Sequence, residues 1–113
     1  EILYHVDEHL DGYQIPPFIL VVFVENAFKH GVSYNEPSFI HISLQVNDGR
    51  LFFRCVNSKH EKRETGTGGI GLENVKKRLQ LIYGDSYRLE ICDGQKNYKV
   101  VLTIPLNKNN DND

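Results

Sequence analysis

Two segments constrain the chain more than any other feature: Glu25-Asn26-Ala27-Phe28-Lys29-His30-Gly31 and Gly66-Thr67-Gly68-Gly69-Ile70-Gly71-Leu72-Glu73-Asn74. The first ends an apolar run, Phe18-Ile19-Leu20-Val21-Val22-Phe23-Val24, that follows Pro16-Pro17. By composition this run is β-like. Proline is tolerated in a first helical turn, however, and apolar positions 19, 20, 23, 24 and 27 keep helical spacing into Ala27, so the pattern predicts a helix over 17–30 stopped by Gly31. Its polar residues, Glu25, Asn26, Lys29 and His30, arrive only in the last turns, and three- and four-residue spacing gathers Asn26, Lys29 and His30 on one face.

An amide oxygen is a hard ligand suited to Mg²⁺, and an ammonium suits a phosphate oxygen, so Asn26 and Lys29 form a candidate metal and phosphate pair. The same residues also fit a plain helix end, where Lys29 and His30 favour the C-terminal dipole. The glycine segment shifts that balance. Gly66, Gly68, Gly69 and Gly71 allow close backbone approach, and the N–H groups opening the helix that follows make an anion site; the competing reading is a flexible hinge. Together the two segments describe a nucleotide site. The spacing Gly66-x-Gly68-x-x-Gly71, with Glu90 downstream, also fits a dinucleotide fingerprint, but that motif must follow a buried strand within a βαβ unit. Here it follows a charged loop, and GxxxxGK[ST] is absent.

At 113 residues, 40% hydrophobic and 25% charged, the chain has the size and balance of one globular domain. A net charge of -2 gives no electrostatic footprint for nucleic acid. Cys55 and Cys92 lie in strand-like runs without metal-ligand spacing and read as two buried, reduced thiols. No run reaches the roughly 18 apolar residues of a membrane span. The chain begins at Glu1 and reads as a piece of a longer polypeptide. His5 and His9 lack a third ligand, His41 alternates with Ile40 and Ile42 as a solvent-facing strand residue, and no Ser/His/Asp or Cys/His set stands out.

Ile2 to Val6 reads as a strand, and Phe39 to Val46 and Leu51 to Val56 as a hairpin around Asp48-Gly49. The polar stretch from Asn57 to Thr65 reads as a surface loop. Leu72, Val75, Leu79 and Ile82 mark an amphipathic helix closed by Gly84, and Tyr87 to Cys92 with Tyr98 to Pro105 a second hairpin. The order predicts an α+β two-layer sandwich over 1–106, with helices on one face of a mixed, mostly antiparallel sheet and a frayed polar tail over 107–113.

These segments, from Pro16-Pro17 and Val24-Glu25-Asn26-Ala27-Phe28-Lys29-His30-Gly31 to Gly69-Ile70-Gly71-Leu72-Glu73-Asn74-Val75-Lys76-Lys77-Arg78-Leu79, resemble the C-terminal catalytic ATP-binding domain of LytS/YehU-type bacterial sensor histidine kinases. That family lies in the GHKL superfamily of gyrase, MutL and the histidine kinases, and its fold is the Bergerat sandwich. The resemblance covers Tyr4 to Leu106. It implies that Asn26 holds Mg²⁺, that Lys29 and His30 touch phosphate or ribose, and that Thr67, Gly68, Gly69, Gly71 and Leu72 belong to the ATP-binding glycine box. Asn57 stands where the family has an adenine-reading aspartate, in Cys55-Val56-Asn57-Ser58-Lys59, and the lid after it is short, without a Phe-rich box. ATPases of the superfamily place a glutamate one turn before the metal-binding asparagine. Here that position is Val22, and the candidate catalytic Glu25 lies about 100° around the helix, so little hydrolysis is expected.

The resemblance implies a protein-histidine kinase catalytic domain of a two-component system, inactive alone, which donates the ATP γ-phosphoryl to a histidine on an upstream dimerisation domain of the same parent. A response regulator would then receive it. The domain would be cytoplasmic and its parent an inner-membrane protein, the membrane entering only through the parent. The alternative, motivated by Asn57 and the short lid, is a degenerate module without ATP binding that acts in protein interaction.

Overall fold

The computed structural model describes residues 2–6, 13–14, 17–31, 37–59 and 68–108; of residues 13, 14, 17, 30, 31, 68–70, 107 and 108 it describes the backbone alone. The elements are β1 (Ile2–Val6), β2 (Tyr13–Gln14), α1 (Pro17–Gly31), β3 (Ile40–Asn47), β4 (Arg50–Ser58), α2 (Gly68–Tyr83), β5 (Arg88–Asp93), β6 (Asn97–Pro105) and β7 (Asn107–Lys108).

Five strands form one sheet in the order β1-β3-β4-β6-β5. β1 runs parallel to β3, and the other three pairings are antiparallel. This is the mixed, mostly antiparallel sheet the sequence predicts. The β3–β4 hairpin closes over Asp48 and Gly49, whose φ values of 55° and 73° are the left-handed pair a two-residue hairpin needs. α2 ends where Gly84, at φ 60°, donates its N–H to the Gln80 carbonyl at 2.9 Å.

The strands alternate, and one side of the sheet carries the core. Leu51, Phe53 and Cys55 of β4 and Val100, Leu102 and Ile104 of β6 are buried there, and Ile19, Phe23 and Ala27 of α1 with Val75 and Leu79 of α2 complete the cluster. Both helices therefore cover the same face. The rings of Phe23 and Phe53 stand 6.0 Å apart, tilted by 36°, across the interface between α1 and the sheet. Burial of this stripe outweighs the β-propensity of the Phe18–Val24 run, which becomes helix because that geometry brings positions 19, 23 and 27 to one side.

Four expectations need correction. Asn57 and Ser58 are not loop residues: they end β4, at 2% and 7% exposure, because their polar groups find partners within the fold. Cys92 is exposed while Cys55 is buried, both thiols free, because Cys92 pairs with Lys99 on the uncovered side of an edge strand. His41 is half-buried rather than solvent-facing, its ring 4.9 Å from that of Phe39. The tail does not fray at once, since Asn107 and Lys108 pair antiparallel with Gln14 and Tyr13.

Candidate functional site

The face of α1 that carries Ile19, Phe23 and Ala27 is sunk in the core, which leaves the polar residues of its last turns around the rim. Asn26 is half-buried, and Glu25 and Lys29 are exposed. His30 lies in the final turn, and its side chain falls outside the described residues. Val22, the position a hydrolytic glutamate would occupy, is packed against the core instead.

α2 begins at Gly68, so Gly68, Gly69 and Gly71 open the helix directly; Gly66, Thr67 and, from residue 60 on, the expected lid of Ser58 to Thr65 lie outside the described residues. α1 and α2 pack on each other, and a Cβ placed on Gly71 would meet Val22 Cγ1 at 3.8 Å. That is ordinary van der Waals contact, and Gly71 is not among the residues with positive φ. Neither backbone nor packing demands glycine at 71. The contact also sets the first turn of α2 beside Val22, one helical turn, or about 6 Å, from Asn26. Leu72 is half-buried and packs against the core, so it seats α2.

The third part is the end of β4. Asn57 is the next inward position after Leu51, Phe53 and Cys55, and the register sets it between Ile40 of β3 and Tyr98 of β6. Its Nδ2 donates to the Ser58 carbonyl at 2.7 Å. Ser58 is tied to β3 by its N–H on the Phe39 carbonyl at 3.0 Å, and its Oγ accepts from the Phe39 N–H at 3.0 Å. Lys59 donates its N–H to the Lys96 carbonyl at 2.9 Å, and its Nζ bonds the Asp93 carboxylate and, at 2.8 Å, the Gly94 carbonyl. Burial raises the Tyr98 hydroxyl pKa above its usual value, and the neighbouring Asp93 carboxylate adds to this. The sequence gives no local signal for Ser58 or Lys59, whose partners Phe39, Asp93, Gly94 and Lys96 lie far along the chain.

Among the described residues no group of three or more His, Cys, Asp or Glu side chains could hold a metal ion. His5 sits exposed on β1, and His9 lies outside the described residues. A depression of about 380 Å³ does exist on the uncovered side of the sheet, lined by Leu3, His5, His41, Ser43 and Arg54 among others. Of the residues discussed in the sequence only His5 and His41 line it, and none of the candidate nucleotide-site residues does, so it is separate from the candidate site. No helix among the described residues is long and apolar enough to cross a membrane.

No protein-family model matches the chain. Among curated proteins it is similar to the sensor protein LytS of Staphylococcus haemolyticus, 31% identical over 119 residues that cover 92% of this chain and 20% of LytS. It is similar also to the sensor histidine kinase BtsS of Escherichia coli K12, 27% identical over 111 residues that cover 88% of this chain and 18% of BtsS. The chain thus spans about a fifth of the length of the curated relatives it matches. Among solved structures, the catalytic domain of histidine kinase ThkA superposes with a TM-score of 0.67 at 16% identity, covering 92% of this chain and 80% of that one. Over nearly its whole length, therefore, the chain resembles the LytS-type sensor histidine kinases and has the fold of a histidine kinase catalytic domain.

Proposed function

We propose that the chain is the ATP-binding catalytic domain of a sensor histidine kinase, and that it donates the γ-phosphoryl of ATP to a histidine on another domain of a longer parent. The observation that carries this reading is the seating of Gly71 against Val22. It brings a helix start built of glycines next to the polar end of α1 while leaving the glycine itself unexplained by packing. Close approach of a phosphate to that backbone supplies the reason.

The residues present suit Mg²⁺. Asn26 offers one amide oxygen at a half-buried position, and Mg²⁺ takes one or two protein ligands, with substrate phosphates and water completing its octahedron. When bound, the ion would neutralise charge on the phosphates. The other roles belong to this chain's own groups. Lys29 and His30 would pair with phosphate or ribose, and the N–H groups of Gly68, Gly69 and Gly71, with Thr67 before them, would hold phosphate oxygens beside Leu72. Asn57 would face the base. Glu25 is the candidate carboxylate for proton handling at the acceptor. With Val22 in the packed position there is no group one turn before Asn26 to activate water, which spares ATP for transfer. The acceptor domain, a response regulator and a cytoplasm-facing position in a membrane-anchored parent follow from the same reading.

Titration of the 113-residue chain with ATP, with and without Mg²⁺, by calorimetry tests it. Binding should require Mg²⁺ and weaken by at least about tenfold in Asn26→Ala, the loss of one charge-assisted contact. Unchanged affinity in that variant would remove the metal role. A degenerate interaction module is the second reading, favoured by the exposure of Phe18, Phe28, Leu81 and Ile82 at 73%, 43%, 85% and 57%. It predicts no heat at millimolar nucleotide.

A further inference from the structure

An asparagine is an ambiguous reader of a purine. Its oxygen accepts from a 6-amino group and its nitrogen donates to a 6-oxo group, so a simple flip of the amide would exchange one preference for the other. An aspartate in the same place has no such ambiguity. We propose that the Ser58 carbonyl removes the ambiguity from Asn57, making Ser58 the positioning residue that commits this site to 6-amino purines. The inference rests on the nucleotide reading above.

The geometry is specific to the end of β4. The Ser58 carbonyl accepts from Asn57 Nδ2 at 2.7 Å; after a flip, Oδ1 would confront that oxygen with no proton between them, in a position only 2% exposed. The orientation holds only if the carbonyl cannot turn away. It shares its peptide plane with the Lys59 N–H, which is fixed on the Lys96 carbonyl at 2.9 Å. Upstream of that plane, Ser58 is bonded to Phe39 through both its N–H and its Oγ at 3.0 Å, with the Oγ a further 3.4 Å from the Phe39 carbonyl. Downstream, the Lys59 side chain clasps Asp93 and the Gly94 carbonyl. Neighbouring strands hold the peptide from both sides. Asn57 therefore directs Oδ1 to the base, as an aspartate would, without the negative charge.

The test is a calorimetric comparison of Mg-ATP with Mg-ITP, whose base carries a 6-oxo group in place of the 6-amino group. The chain should prefer ATP by at least about tenfold, the discrimination expected when a fixed acceptor meets the wrong purine edge. Ser58→Ala should narrow that ratio severalfold by freeing the amide to turn. With Asn57→Asp also in place the narrowing should vanish, because a carboxylate cannot be flipped into a donor. Should Ser58→Ala fail to fold, Lys59→Met removes the clasp while leaving the strand ladder whole and gives the same comparison. Equal affinity for the two nucleotides overturns the inference. So does a narrowing of the same size on the Asn57→Asp background, which would mark Ser58 as merely structural. If neither nucleotide binds, the nucleotide reading itself fails and takes this inference with it.

Discussion

The two faces of the five-stranded sheet differ more than their sequences suggest at first sight. On the helix side β4 presents Leu51, Phe53 and Cys55, all at 2% exposure or less, and then Asn57; on the bare side the same strand presents Phe52, Arg54 and Val56, none fully buried. The two cysteines report the difference directly, Cys55 buried under the helices and Cys92 open to solvent. The candidate site is thus an extension of the core pattern. Where a further inward apolar residue would close the stripe, an amide appears, and its position inherits the rigidity of the packing below it.

Cutting into the covered face should have the largest effect. Phe53→Ala removes a ring at 1% exposure that meets Phe23, and urea denaturation should show a loss of about 3–5 kcal/mol. Phe52→Ala one residue away should lose far less, and equal losses would dissolve the distinction between the faces.

A smaller effect separates the faces by titration. Burial pushes the Cys55 thiol from 9.0 up to about 11, so the fold favours the neutral form. The sign follows from linkage: this contribution is whole below pH 9 and is lost as pH rises through about 11, amounting to roughly 2–3 kcal/mol at most. Tyr83 and Tyr98, both raised by burial, add to the loss above pH 10. Stability measured from pH 8 to pH 11 should fall less steeply in Cys55→Val than in the native chain. In the native chain a thiol reagent at neutral pH should label Cys92 and spare Cys55.

The smallest effect belongs to the bare face. Arg88 Nε lies 3.1 Å from Glu90 Oε2 with both side chains largely in solvent, and Arg88→Ala should change stability by less than about 0.5 kcal/mol. A larger loss would mean that this face is held by more than its strand ladder.

Much of this was legible in the residues. Asp48-Gly49 announced its hairpin because only a left-handed pair closes a two-residue turn. α1 was legible through helical spacing in spite of its β-branched composition. The face of Cys92 was readable in principle, since Leu89 and Ile91 point to the helices and the next residue must point away. What was not legible depends on partners far along the chain. Tyr13-Gln14 and Asn107-Lys108 are too short and polar to show any period, and their pairing exists only in the fold. Asn57 and Ser58 look like loop residues because polarity was their only local property; Phe39 and the Ser58 carbonyl make them core. At the candidate site, Asn26, Lys29 and the glycines of α2 were visible as motifs. The lock on Asn57 was not, because it is a matter of backbone planes.

The parallel pairing of β1 with β3 carries a kinetic meaning. β3 with β4 and β5 with β6 are joined by tight turns, and hairpins of this kind form in about 1–10 μs. β1 can join only after the chain has crossed over through the whole of α1, so its search is long and its loop entropy high. The helix that carries Asn26 lies within that crossover. The α1 part of the candidate nucleotide site therefore sits on a non-local closure and not on a hairpin, and any ligand that holds α1 in place would favour that closure.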